Sequence, residues 1–404
     1  MPKISEIWSE VRGYCATVFA LCLLGWILTN MDQALFGFAI PAIMGEFNAG
    51  PDAISIVLAV SFAFTGVAAV IVGLLADHYG RRIMFLFCLA ASALFVGLHA
   101  LIGGLVSLTI LRMLAMGLSN GLAPITNSFA AEAAPARYRG LVVGLLQTGY
   151  PIGWFIASLL FIGITANTDD WRYVFVPALF VVPIAFLLVR RLPESKKFER
   201  VVDSSGGAAK VSALPDFSRI GELFGPGLRK QTLFCFTAFL LWGGAYAGTA
   251  FYFPTFFAEV RNYSSEQATF VVGLSYGMAV VGYILAAYVG EFVTTRRNTC
   301  IIWAWSGAVA VTGLIWASPN YVTDVIWFSI MASFFYGMAA VIMTLVVEIF
   351  PTRVRATGAA FAGTFALNIG MAIFPLAVGQ GVVTIGWEWT FTLVAVPSLL
   401  VAGV

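Results

Sequence analysis

The sequence predicts an all-α membrane protein of twelve transmembrane helices in two pseudo-symmetric six-helix bundles. Three observations carry that expectation: an extreme apolar composition, twelve apolar segments of spanning length, and a charged loop motif that recurs halfway along the chain. Of the 404 residues 60% are hydrophobic and 10% charged, and the mean hydropathy is +0.92. A soluble domain carries about 25% charged residues, so the solvent for most of this chain is lipid. The net charge of +2 is too small to argue for a nucleic-acid partner.

The apolar segments run at approximately 14–40, 54–76, 83–102, 105–131, 140–164, 172–190, 231–257, 267–290, 299–318, 323–347, 357–380 and 387–404. A hydrocarbon core about 30 Å thick needs about 20 residues of helix to cross, and in lipid the backbone must satisfy its own hydrogen bonds, which a helix does. The first segment has no signal-peptidase pattern and is read as a retained span. The last reaches Val404 without a polar tail, which leaves open whether more chain follows.

Orientation follows from the basic residues. With the N-terminus inside, 19 of the 22 Lys and Arg residues fall in cytoplasmic segments, two (Arg172 and Arg261) fall outside, and Arg112 lies within a span. This is the positive-inside asymmetry of an inner-membrane protein. The polar stretch after the sixth segment divides the chain into an N-terminal bundle at 1–192, a cytoplasmic linker at 193–229 and a C-terminal bundle at 230–404. The halves also repeat. Glu132-Ala-Ala-Pro135-Ala-Arg137-Tyr-Arg139 recurs 216 residues later as Glu348-Ile-Phe-Pro351-Thr-Arg353-Val-Arg355, each between the fourth and fifth span of its half. Parallel six-span repeats place a solute site near mid-membrane between the halves.

Between spans 2 and 3 the chain reads Gly73-Leu-Leu-Ala-Asp77-His78-Tyr79-Gly80-Arg81-Arg82, and a degenerate partner, Gly290-Glu291 followed by Arg296-Arg297, lies between spans 8 and 9. The first matches G-x-x-x-D-x-x-G-R-R and resembles the signature of the major facilitator superfamily. The resemblance implies that Asp77 pairs with basic residues of a neighbouring helix to latch the outward-facing state, that the glycines let helices approach, and that Glu132, Arg139, Glu348 and Arg355 belong to the same gating set. Charges in a tight cytoplasmic turn also serve as topology signals alone. His78 is read as a loop residue.

Around span 5, Arg139-Gly140-Leu-Val-Val-Gly144-Leu-Leu-Gln147-Thr-Gly149-Tyr150-Pro151-Ile-Gly153, with Trp171-Arg172 and Leu192-Pro193-Glu194-Ser195, is similar to the branch holding sialic-acid and lactate proton symporters, with aromatic-acid symporters nearby. The polar signature of lactate permeases in span 7 is missing from Ala247-Gly248-Thr249-Ala250-Phe251, so lactate is not the expected solute. Of the two acids common in span 1 of that branch, only Asp32 remains.

A charge deep in a span costs at least about 2.5–3.5 kcal/mol and marks function by default. Asp32 in span 1 and Arg112 in span 4 lie at comparable depth, counted from the outer ends of their segments. The resemblance implies that this pair couples protons to transport. A change in their separation between conformations would load or release a proton, and the carboxylate must be the group that titrates, because arginine keeps its charge. A permanent salt bridge that fixes packing is the other reading. Span 5 presents Gln147, Tyr150, Trp154 and Ser158 on one face, and Asn120 and Asn127 lie within about 60–80° of Arg112. Trp242, Tyr246 and Thr249 of span 7, Tyr276 of span 8, Tyr336 of span 10 and Asn368 of span 11 complete the candidate substrate site, whose aromatic members also suit plain packing.

The five cysteines are scattered singly, giving neither a metal cluster nor a disulfide framework. No P-loop and no nucleophile triad can be assembled. The sequence therefore predicts a proton-coupled symporter, not an enzyme. It imports a small organic anion, read as a carboxylate, by alternating access, needs no cofactor beyond the coupling proton, and acts as a monomer in the lipid bilayer. Metabolite or drug export, sugar symport and a non-transporting membrane sensor remain alternatives.

Overall fold

A computed structural model of the chain describes residues 10–168, 170–195, 199, 218–351 and 354–403; most of the expected linker, Arg353, and the side chains of Asp77 and Arg355 lie outside the described residues. Spans 1 to 10 are Tyr14–Phe47, Pro51–Ala76, Arg81–Leu101, Leu105–Ala133, Ala136–Thr165, Trp171–Arg191, Arg229–Ala250, Ser265–Phe292, Arg296–Trp316 and Tyr321–Val346. One further stretch, Ala359–Ala402, is 44 residues long. It breaks at Gly386, whose backbone (φ 81°, ψ 172°) leaves the helical region, and so supplies spans 11 and 12. The helices agree in number and length with the twelve crossings expected from the sequence. Span 1 runs further than the composition suggested, to Phe47, where Asn48 closes it in the left-handed conformation (φ 47°).

The helix ends are fixed by local chemistry. Ser264 and Gln267 form a reciprocal cap at the start of span 8, and the side chains of Thr295 and Asn320 accept backbone N–H groups at the starts of spans 9 and 10. Span 3 begins just after Gly80, which holds φ 95°, a region open to glycine. The first-turn N–H groups of Arg81 and Arg82 then donate to the Glu194 carboxylate at 3.1 and 3.2 Å, a charge favoured at a helix N-terminus. Glu194 and Ser195 thus pack onto the first half of the chain, although the sequence placed them in the linker. At the linker's other end, Ser218–Leu223 is a short helix whose last carbonyl accepts from Thr232 at 2.9 Å.

At the end of the molecule that carries the loop between spans 2 and 3, here the loop end, Arg81 pairs with Glu132 at 2.6 Å and Ser195 donates to the same carboxylate at 2.5 Å. Arg82 donates to the Val189 carbonyl, and Arg139 to that of Ala131. In the second half Arg296 pairs with both Glu291 and Glu348. A side chain at Gly140 would collide with Arg296 and Glu291, so the start of span 5 abuts the loop between spans 8 and 9. Gly73, by contrast, faces open space, where a Cβ would meet nothing within 4 Å. The close approach that the resemblance implied is not made there.

The opposite, far end carries a repeat that the motif reading passed over. The Trp171 indole, opening span 6, donates to Glu46 near the end of span 1 at 2.6 Å. The Trp387 indole, opening span 12 and 216 residues later, donates to Glu259 beyond span 7 at 2.8 Å. In the first half Arg172 reinforces the tie, reaching Glu46 at 2.5 Å and the Ile102 carbonyl at 3.0 Å. A hydrogen bond to a charged partner contributes about 1.5–3 kcal/mol, and the half-exposed Arg172–Glu46 pair adds about 0–1 kcal/mol. Between the halves, the Tyr252 hydroxyl donates to the Pro51 carbonyl at 3.4 Å.

Candidate functional site

Spans 1 and 4 run antiparallel, and one hydrogen bond sets their register: the Ser119 hydroxyl donates to the Thr29 carbonyl at 3.3 Å. Seven residues further along each helix, in opposite senses, Arg112 comes level with Phe36. Its guanidinium carbon lies 4.0 Å from the centre of the Phe36 ring. Asp32 sits one turn away from Phe36, about 6 Å along the axis at 1.5 Å per residue. The expected equal depth of Asp32 and Arg112 is therefore off by a turn, because span 1 extends beyond the segment from which depth was counted. No ion pair joins the two. Both side chains are buried, each 1% exposed. Both Asp32 carboxylate oxygens and the Arg112 Nε and one Nη have no hydrogen-bond partner among the described residues.

From the guanidinium a belt of rings crosses between the halves. Phe251, 5.9 Å from the Arg112 carbon, lies where span 7 breaks before the short helix Phe253–Glu259. It packs on Trp154 at 5.8 Å and Tyr246 at 6.2 Å. Tyr150, one turn before Trp154, is the hub. Its ring lies 5.7 Å from Tyr246, 5.6 Å from Tyr276 and 6.5 Å from both Tyr283 and Tyr336. Its hydroxyl bonds that of Tyr276 at 3.2 Å, and Tyr336 and Thr249 share a hydroxyl contact at 3.3 Å. Tyr276 stacks on Tyr336 with 11° between planes. The widened turn Ala332–Tyr336 in span 10 presents Tyr336 to this belt and leaves the Phe335 carbonyl to accept from the Trp242 indole at 3.2 Å.

The structure thus brings Tyr150, Trp154, Tyr246 and Tyr336 together in a belt that reaches Arg112 through Phe251, with Trp242 bracing span 10. The amides are placed differently. Gln147 donates to Asn127 at 3.1 Å, Asn120 to the Met116 carbonyl of its own helix at 3.1 Å, and Asn368 to the Thr364 carbonyl of its own helix at 2.8 Å, with its Cβ against Gly66 of span 2. Ser158 likewise donates to a carbonyl of its own helix. Phe36, Phe251, Tyr283 and His99 belong to the region and were not picked out from sequence. Phe36 is one turn from Asp32, and Phe251 sits three residues before Pro254, so spacing could have flagged both. Among the described residues no group of His, Cys, Asp and Glu could hold a metal ion.

A pair of buried, unpaired opposite charges next to a belt of rings that joins two repeated halves is the arrangement of a solute carrier, and residues 22–375 match the Major Facilitator Superfamily. The chain belongs to that superfamily. It is a membrane transporter and not an enzyme. It is 27% identical over 371 residues to the cis,cis-muconate transport protein of Acinetobacter baylyi, covering 89% of this chain and 86% of that one. It is 25% identical over 424 residues to the gallate transporter of Pseudomonas putida, covering 97% and 91%. Among solved structures, the proton:xylose symporter bound to 6-bromo-6-deoxy-D-glucose superposes with a TM-score of 0.70 at 17% identity, over 96% of this chain and 94% of that one. At that identity the likeness speaks for the fold.

Proposed function

We propose that this transporter is a proton symporter that imports a small, flat carboxylate, aromatic or conjugated, by alternating access across the bacterial inner membrane. Its N-terminus and loop end face the cytoplasm, the bundles 1–192 and 230–404 move about the linker as separate bodies, and the monomer is the working unit. The observation that carries this reading is the Arg112 fork: buried, laid on Phe36, with two nitrogens unpaired. A planar carboxylate matches two parallel N–H donors, and the rings of Tyr150, Trp154, Tyr246 and Phe251 suit a flat unsaturated body beside it. The named solutes of the muconate and gallate relatives are of that kind.

The proton belongs to Asp32. When ionised, Asp32 competes for the guanidinium; when protonated, it releases the fork to the incoming anion, so proton and anion are bound in the same conformation. Asp32→Asn fixes the released form. In proteoliposomes loaded with gallate or muconate, this variant should perform counterflow exchange yet fail to accumulate either acid under an imposed pH gradient. Accumulation equal to that of the wild type would overturn the assignment. Accumulation driven by the opposite gradient would make the protein an exporter.

A further inference from the structure

The buried side-chain amides among the described residues are Asn30, Gln33, Gln147 and Asn368. Three of them are satisfied within the protein: Asn30 donates to the Trp26 carbonyl at 2.7 Å, Gln147 to Asn127 at 3.1 Å and Asn368 to the Thr364 carbonyl at 2.8 Å. Gln33 differs. It is 3% exposed, and its Nε2 has no hydrogen-bond partner among the described residues. Burying a donor without a partner is unfavourable, and at membrane depth there is little else to pair it. A leucine or methionine would fill the same space without that cost, so the amide needs a reason to be there.

The contacts of span 1 say which way Gln33 faces. Thr29 and Phe36 face span 4: the Thr29 carbonyl accepts from Ser119, and the Phe36 ring lies under the Arg112 guanidinium. Gly37 faces the ring belt, where a Cβ would lie 3.1 Å from Trp154 and 3.6 Å from Phe251. At about 100° per residue, Gln33 falls between these two faces, about 40° from Thr29 and 60° from Phe36 on one side and about 40° from Gly37 on the other. Along the axis it is three residues from Phe36, about 4.5 Å, so one small molecule can touch both the amide and the guanidinium. Asp32 points about 100° away from Gln33, on the Phe36 side. Gln33 therefore faces the seam between the fork and the rings, and it escaped the sequence reading because it carries no charge.

We propose that Gln33 is a specificity-determining residue of the transporter: it hydrogen-bonds a ring hydroxyl of the solute while the solute's carboxylate sits on Arg112. The solutes favoured are then hydroxylated aromatic acids. The proposal rests on the reading of Arg112 as the anion's anchor. A primary amide suits a hydroxyl because it bonds in both senses: Nε2–H donates to the oxygen, and the amide carbonyl, with two lone pairs, can accept the hydroxyl proton. A neutral amide also meets a neutral hydroxyl without bringing a second charge into the bilayer. An acid with a bare ring binds through the fork alone and leaves Nε2 unpaired, and a site built to bond a hydroxyl rejects the analogue that lacks it.

Isothermal titration of gallate and of benzoate, the same ring acid without hydroxyls, into wild type, Gln33→Met and Arg112→Gln, with each fold checked by gel filtration, tests this. The wild type should bind gallate more tightly than benzoate. Gln33→Met, or Gln33→Leu should the first fold poorly, should weaken gallate about three- to tenfold and leave benzoate as tight or tighter, because the unpaired donor is gone. Arg112→Gln should weaken both acids. A gallate-to-benzoate ratio that Gln33→Met leaves unchanged, whether both acids weaken alike from a packing fault or neither changes, overturns the proposal and leaves the fork in place. If Arg112→Gln binds both acids like the wild type while Gln33→Met still loses gallate selectively, the fork reading falls and the amide contact stands. A wild type that binds neither acid sinks both.

Discussion

The value of the Arg112 fork can be put to a number with Arg112→Lys, which keeps the charge and removes the planar shape. In the structure the guanidinium lies 4.0 Å over Phe36 with Nε and one Nη unpaired. A bound carboxylate would take two charge-assisted bonds, of which lysine can replace one. The bond lost is worth about 1.5–3 kcal/mol, and the stacking on Phe36 about 1 kcal/mol. Lysine's shorter, more strongly hydrated head recovers little of either. The expected penalty is about 2.5–4 kcal/mol, or two to three orders of magnitude in Kd at about 1.4 kcal/mol per decade. Isothermal titration of gallate into purified wild type and Arg112→Lys, with the fold checked by gel filtration, measures it. A lysine variant that binds gallate within threefold of the wild type would refute the forked-anchor argument.

Other expectations are independent of that one. Asp77→Asn should slow counterflow several-fold while leaving gallate affinity within a few-fold, because the residue directly follows span 2 at the loop end, away from the rings; lost binding in a folded variant would contradict this. Tyr150→Phe keeps the hub ring and removes one neutral hydrogen bond, so the melting temperature should move little, by an amount matching about 0.5–1.5 kcal/mol, whereas Tyr150→Ala should cost about 3–5 kcal/mol by analogy with other large aromatic deletions; a thermal melt in detergent separates them. Gly153→Leu should prevent stable expression, since even a Cβ there would lie 2.6 Å from the Ile27 carbonyl of span 1. A cysteine introduced in 196–210 should resist an impermeant thiol reagent applied from the periplasm, and rapid labelling would reverse the orientation.

Much of this was legible in the amino acids, and the rest was lost for physical reasons. Composition and segment length fix the spans, since few other structures satisfy a backbone in lipid. Gly386 shows the limit: one residue in a left-handed conformation, with Ile385 and Trp387 apolar on either side, makes the whole turn between two crossings. Asp32 and Arg112 stood out because buried charge is rare, but their separation depends on helix register, which the Ser119–Thr29 contact sets and periodicity does not reveal. Tyr283 joins the belt because span 8 packs along span 5, information that lies in tertiary contacts. The Trp171 and Trp387 ties share the 216-residue offset of the loop motif, so a search at that offset would have found the tryptophans, though not their carboxylate partners.

Those two ties have a mechanical consequence. Each joins the first helix of a half to its last: Glu46 of span 1 to Trp171 at the start of span 6, and Glu259 after span 7 to Trp387 at the start of span 12. Each therefore works like the hoop on a set of staves, holding six helices in a closed ring at one rim without itself crossing the seam between the two rings. A carrier hooped in this way can tilt one ring against the other without loosening either. The resistance to that tilt then falls on contacts across the seam: the bond from Tyr252 to Pro51, the packing of span 2 on span 11 at Gly66 and Gly379, and the hydroxyl and ring contacts of Tyr150 with Tyr246, Tyr276 and Tyr336.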